Sequence, residues 1–285
     1  AEVDTALFEI ARIPEDRPGD WLAAAGARRV GFDPWLHTRA DIEALEARLT
    51  RDDVRLVRVA NLIDRVWADQ PPPPARPVTV HPDALAGRGS AEKRQALAAG
   101  LRDRGAAAVV LTLPDSIAWL LNIRGADIAR TPVPLGFALL HADARVELFL
   151  APGQITEAVA AHLGPEVTVL PPDGFLARLG SLSGRVEVDR ARVPVAVSDA
   201  LEAAKVEIVW AEDPCLLPKA AKTPAEIAGA RAAHLRDAAA LATFLAWLDT
   251  EAPGGRLTEI EVVVRLEAIR TAPRQLPDIP LETIA

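Results

Sequence analysis

The sequence predicts an α/β protein, two layered segments followed by a helical third, and three observations carry that reading. Short apolar runs alternate with amphipathic helical stretches as far as Trp210, a proline cluster at Gln70–Pro77 divides that region, and beyond Pro214 only helical patterning remains. At 285 residues the chain has room for about two domains. Half of it is hydrophobic, which supplies enough apolar surface for buried cores and makes the chain globular rather than disordered.

In the first segment, Thr5–Ile10 alternates loosely and gives way to the Pro- and Gly-bearing stretch Pro14–Gly19, which predicts a strand leaving into a loop. A helix is expected from near Asp20, with Trp21, Leu22 and Ala25 on one face. Arg28–Phe32 reads as a short buried strand closed by Asp33-Pro34. Thr38 is placed to cap a helix running through Leu49, whose buried stripe is Ile42, Leu45 and Leu49. Val54–Val59 supplies the next strand. Gln70–Pro77 holds five prolines in eight residues and forms neither helix nor sheet, because each proline lacks an amide donor and fixes its own backbone angle.

The second segment opens with a helix over Ser90–Arg104, with Ala91, Leu97 and Leu101 expected inward, followed by the apolar strand Ala107–Leu113. Phe137–His141 and Val146–Leu150 flank Ala142-Asp143-Ala144 as a hairpin. A helix over Ile155–Leu163 stops at Gly164-Pro165, and strands follow at Val167–Leu170 and Val186–Val188. A helix over Ser198–Ala204 and a strand over Glu207–Trp210 close the segment near Pro214.

The third segment begins at Thr223-Pro224-Ala225-Glu226, where Thr can cap free amides, Pro fits the first turn and Glu completes a capping box. Ile227, Ala230, His234, Ala238, Leu241, Leu245 and Leu248 then form one long stripe ending before Pro253-Gly254-Gly255. A second box, Thr258–Glu261, opens another helix through about Arg270. Two helices with open apolar faces and no sheet after them read as an incomplete unit.

A net charge of −8 argues against a dedicated nucleic-acid or anionic-membrane binder, both of which need clustered Lys and Arg. No uninterrupted apolar run of about 18 residues is present, and no signal-peptide pattern opens the chain. The single cysteine, Cys215, rules out an intrachain disulfide and a Cys-based zinc site, favours a reducing, cytoplasmic setting, and reads as a small buried apolar residue. The six tryptophans are dispersed, which favours core anchors over one proline-binding surface. His234 is expected to be buried and hydrogen-bonded rather than a ligand, and Glu226 and Asp237 to sit on solvated helix faces. No Gly-rich phosphate loop and no Gly-x-Ser-x-Gly turn occurs.

Three stretches taken together resemble aminopeptidase P, the Xaa-Pro branch of the metallopeptidases that share the pita-bread fold with creatinase and prolidase. They are Gly31-Phe32-Asp33-Pro34-Trp35-Leu36-His37-Thr38 with Asn61–Trp67 and the proline cluster; Asp115–Asp127 continuing to Pro132-Val133-Pro134; and Lys222–Ile227 with Ala233–Asp237. Their order and spacing cover nearly the whole chain.

The resemblance implies creatinase-like N-terminal α/β domains followed by the first helices of a truncated pita-bread catalytic domain. Residues 1–76 would be the latter part of a first domain plus the linker, 77–214 a second, and 215–285 the incomplete opening of the third. The missing initiator Met fits a chain cut at its front, and both ends read as truncated. The family removes the N-terminal residue from short peptides with proline in second position, using two divalent metals, usually manganese, that generate a hydroxide and stabilise the oxyanion. The positions that bind metal and shuttle protons would lie beyond Ala285, so no catalytic or metal-ligating residue carries over. The chain alone is expected to be inactive and metal-free, and a homodimer is expected of the family.

Within the chain, Asn122-Ile123-Arg124-Gly125-Ala126-Asp127 gathers an amide, a guanidinium and a carboxylate at one glycine turn, so Asn122, Arg124 and Asp127 are the candidate substrate-binding residues. Two readings stand side by side. Arg124 meets peptide carbonyls or a carboxylate at the edge of a cleft, or Arg124 and Asp127 pair with each other or nearby backbone and pin the loop. The rival for the chain as a whole is a binding or oligomerisation module that keeps the creatinase-like domains without the hydrolase.

Overall fold

The computed structural model describes residues 3–272 and divides into two compact units, residues up to Pro73 with Phe175–Asp213, and Pro74–Gly174 with residues from Pro214 onward. The chain opens in turns. The alternation at Thr5–Ile10 predicts a strand, but the Leu7 and Phe8 amides bond the Asp4 carbonyl and the apolar side chains stay exposed. Period-two patterning specifies a face, whereas a strand also needs a neighbouring backbone to pair with; no strand is formed here.

Helix α1 (Pro18–Ala24) lies against α2 (Arg39–Leu49), and Arg48 of α2 reaches Asp20 at 2.5 Å. Between them runs β1 (Arg29–Phe32). Thr38 caps α2 in a full capping box with Asp41, and the stripe read from spacing buries Ile42 and Leu49 while Leu45 is half-buried. Strand β2 (Arg55–Arg58) pairs parallel to β1, and the short α3 (Leu62–Val66) leads to the proline cluster, which is free of helix and strand.

In the second unit, β3 (Thr79–Val80) and α4 (Asp83–Ala86) precede α5 (Ser90–Asp103), β4 (Ala108–Leu111) and α6 (Pro114–Leu121). Strand β5 (Ile123–Arg124) pairs antiparallel with β3. The predicted hairpin is present as β6 (Phe137–His141) and β7 (Val146–Phe149), followed by α7 (Glu157–Leu163) and β8 (Val167–Leu170). The order is β4-β6-β7-β8, antiparallel at the first two pairings and parallel at the third. Leu101, Leu111, Ile117, Leu121, Leu140 and Leu148 form its core, joined by Cys215, which is fully buried as its sequence setting suggests.

The chain then returns to the first unit with α8 (Phe175–Leu179), β9 (Arg185–Val188), α9 (Val195–Ala203) and β10 (Glu207–Trp210), the last pairing parallel to β9. Phe32, Ile42 and Val195 pack together there. The second unit resumes with α10 (Leu216–Ala220), α11 (Pro224–Glu251) and α12 (Glu259–Thr271), the last two each opened by the predicted Thr–Glu capping box.

Three expectations about burial are corrected. On α5, Ala91 is exposed while Lys93 and Arg94 are buried, because the inward stripe carries a polar network that hydrophobic spacing does not register. On α11, residues 227–239 are exposed, His234 included, and Phe244 is the buried residue; His234 bonds the Ala230 carbonyl of its own helix. Trp21, Trp35 and Trp67 are exposed rather than core anchors, whereas Trp119 packs on the core of the second unit.

Candidate functional site

Helix α6 delivers the polar cluster. Pro114 starts it without losing an amide bond, and Ile117, Ala118, Leu120 and Leu121 bury its inner face. The helix ends at Asn122, whose φ of 51° and ψ of 50° are left-handed, a conformation Asn tolerates better than most side chains.

The Asn122 side chain is buried with both ends of its amide used. Its Oδ1 accepts from Lys93 Nζ at 2.6 Å, and its Nδ2 donates to Asp83 Oδ1 at 2.7 Å and to the Arg88 carbonyl at 2.8 Å. The opposite amide orientation would aim N–H groups at an ammonium, so the network fixes it.

Lys93, at 2% exposure, also donates to the Trp119 carbonyl at 2.9 Å and lies 4.5 Å from the centre of its ring. Burial pushes its pKa from the ordinary 10.5 down to about 8; Arg124 and Arg88 add to the fall, while Glu226 and Asp83 oppose it. The same burial, with repulsion from Arg124 and Lys93, lowers the pKa of His81, whose amide bonds the Asn122 carbonyl at 2.8 Å. Lys93, Asp83 and His81 are missed by motif reading. For Lys93 a signal exists, since it lies four residues before Leu97 and eight before Leu101, on the apolar face of α5.

Arg124 and Asp127 do not pair with each other. Arg124 is half-buried, and its Nη1 donates to the Ile123 carbonyl at 2.9 Å. Burial lowers its pKa and Glu226 opposes that, but among the described residues no carboxylate lies within ion-pair distance of the guanidinium. Asp127 accepts three bonds, from the Arg76 amide (2.8 Å), the Leu135 amide (2.8 Å) and Gln154 Nε2 (2.9 Å). Gln154 also donates to the Arg76 carbonyl, so the Asp127–Gln154 pair fastens the end of the proline cluster. Asp127→Ala is expected to lower the thermal midpoint, with a cost of about 2 kcal/mol for orphaning amides bonded to a charged acceptor. Denaturant titration checks it, and the Arg76 amide should exchange its hydrogen faster.

Asp237 and His234 make their bonds outside this cluster, whereas Glu226, expected on a solvated face, is half-buried and near enough for its charge to act on Lys93, His81 and Arg124. Asp237 holds Arg270 of α12 through two bonds of 2.7 and 3.1 Å, and Glu226 accepts from the Thr223 amide within its capping box. Among the described residues no group of three or more His, Cys, Asp or Glu is placed to hold a metal ion, and no helix is long and apolar enough to cross a membrane.

Residues 69–226 match the family model described as the Creatinase/Prolidase N-terminal domain. The chain is 35% identical to the probable Xaa-Pro aminopeptidase P of Neosartorya fischeri over 92% of its own length, and 31% identical to aminopeptidase P2 of Arabidopsis thaliana over 93%. It spans 42% of each of those two proteins. Among solved structures it is similar to an X-prolyl aminopeptidase from Caenorhabditis elegans, described as a cytosolic enzyme with a di-nuclear active site. That likeness has a TM-score of 0.86 at 26% identity, and covers 96% of this chain and 46% of the other.

Proposed function

Since the chain belongs to the creatinase/prolidase N-terminal-domain family, we propose that it is the accessory-domain portion of a metal-dependent aminopeptidase that removes the N-terminal residue from peptides with proline in second position. The observation that carries this reading is identity of 35% to a probable Xaa-Pro aminopeptidase P, sustained over 92% of the chain. On this reading residues 1–76 are the latter part of one creatinase-like domain, 77–214 a second, and 215–285 the opening of a pita-bread metallopeptidase domain. The described residues do not fit a pair of divalent metals, having no cluster of acids and histidines for them. The two ions, manganese on this reading, belong to the longer protein, which acts as a cytoplasmic homodimer on short peptides.

Of the three candidate contact residues, Asn122 and Asp127 have their polar atoms committed to internal bonds, and their part is to shape the loop. Arg124 is the one suited to a peptide carbonyl or carboxylate, because a guanidinium offers five donors and this one bonds a single backbone oxygen among the described residues. In the longer enzyme, Arg124→Ala is expected to raise KM for an Xaa-Pro peptide about 10-fold, the worth of one charge-assisted bond. Arg124→Lys should recover part of that loss, and the melting temperature should hold. A large fall in melting temperature at unchanged KM would assign Arg124 to the scaffold and remove it from the peptide site.

A further inference from the structure

We propose that helix α11 is held end-on against helix α4 through the Thr223 hydroxyl, and that Gly87 is the positioning residue that allows this joint, so that the direction of α11 is set at its first turn. Helix α4 ends at Gly87, where φ is 70°. The Ala86 carbonyl there would otherwise be one of the unbonded acceptors that every helix leaves at its C-terminus. Thr223 Oγ1 donates to it at 3.0 Å and at the same time accepts from the Glu226 amide at 3.2 Å. One hydroxyl thereby closes the end of one helix and the start of another, which only a group that both donates and accepts can do.

The fit at Gly87 is close. A Cβ added there would sit 2.4 Å from Thr223 Oγ1, 2.8 Å from Thr223 Cβ and 3.1 Å from Ala225 Cβ. The other end of α4 is fixed as well, since Asp83 accepts from Asn122, which holds buried Lys93. A second tie lies just upstream, where Lys219 of α10 pairs with Asp115 in the first turn of α6. Past its first turn α11 is exposed from residue 227 to residue 239, and the side-chain tie there is the pair of bonds from Arg270 of α12 to Asp237, which joins α11 to the helix that follows it. A helix of 28 residues is about 42 Å long, and a tilt of about 10° at one end moves the other by about 7 Å. Small changes at Thr223 and Gly87 therefore become large displacements at the far end.

The joint involves no substrate, so it stands or falls separately from the peptidase reading. Its test uses this chain with spin labels at Gln95→Cys on α5 and Ala239→Cys on α11, both exposed, while buried Cys215 stays unlabelled. Pulsed electron spin resonance should give one narrow distance in the parent and in Thr223→Ser, which keeps the hydroxyl. Thr223→Val, of similar volume, and Gly87→Ala should broaden the distribution or shift it by about 4 Å, the same tilt acting over the roughly 22 Å from the helix start to residue 239. An unchanged distribution in Thr223→Val overturns the proposal. So does loss of its cooperative thermal transition, which would make the contact part of the general fold. If Gly87→Ala does not fold, the Thr223 pair decides the matter.

Discussion

The Lys93→Ala chain is expected to unfold more readily than the parent by about 3 kcal/mol, the scale found when one partner of a buried charged contact is removed. Among the described residues Lys93 is the side chain bonded to Asn122 Oδ1, and it also holds the Trp119 carbonyl; truncation leaves Asn122 Oδ1 without its donor, leaves the Trp119 carbonyl with only the long Asn122 amide contact of 3.5 Å, and opens a void where the lysine stem packed at 2% exposure. Asn122 is then free to leave Asp83 and Arg88, so the loss should reach α4. Chemical denaturation monitored by tryptophan fluorescence measures it, and a change within about 0.5 kcal/mol, the range of ordinary surface substitutions, would contradict the network.

The same lysine gives a pH signature. Its folded pKa of about 8 lies below the ordinary 10.5, so between those values the unfolded chain binds more protons than the folded one. Stability of the parent should therefore gain from this group as pH rises from about 8 toward 10.5. Below that window both forms are protonated and the cost of burying the charge is constant. Lys93→Met removes the titrating group while keeping most of the stem. The difference in stability between parent and Lys93→Met should therefore shift toward the parent across that window; a flat difference would show that Lys93 titrates normally.

The second large effect is expected at Gly125. A Cβ there would lie 2.3 Å from the Pro134 nitrogen, 2.6 Å from its Cα and 2.6 Å from the Val133 carbonyl carbon, all backbone atoms that cannot rotate aside. Gly125→Ala must push apart the two segments of the loop, which the Gly125 amide joins to the Pro132 carbonyl at 3.3 Å. Overpacking against backbone costs about 3 kcal/mol, the upper end for a single added carbon. The Asp127 bond to the Leu135 amide, on the same loop, should be lost with it. Melting temperature gives the first effect, and exchange of the Leu135 amide gives the second.

The α/β alternation is legible in the sequence because short apolar runs bounded by Gly, Pro and Asp produce strands wherever a partner strand is available. Residues 29–32, 55–58, 137–141, 146–149 and 207–210 all appear close to where spacing puts them. Helix caps are equally readable, since Thr38, Thr223 and Thr258 act through bonds local to four residues. Thr5–Ile10 shows the limit, because its pattern says nothing about whether a neighbour exists to pair with. The α11 stripe is largely exposed, in keeping with the open apolar faces read from the sequence, and what fails there is the expected burial of His234, because periodicity marks a face able to pack and not whether a neighbour covers it.

The candidate site is half legible. The motif picks out Asn122, Arg124 and Asp127, and the family resemblance read from three motifs is the one the comparisons return. What Asn122 and Asp127 do depends on partners 27 to 51 positions away, such as Gln154, Asp83 and Arg76, which no local spacing encodes. Lys93 escapes notice because a lysine on a helix is ordinarily a surface residue, and only the fold brings an amide oxygen to its ammonium.

The most direct test of the functional account is release of alanine from an Ala-Pro-Ala peptide, measured side by side for the longer protein and for this chain, both supplied with manganese. The account predicts release by the longer protein, no release from Ala-Ala-Ala, and none from either peptide by the chain alone. Release by the chain alone, or a longer protein inactive on Ala-Pro-Ala, would contradict it.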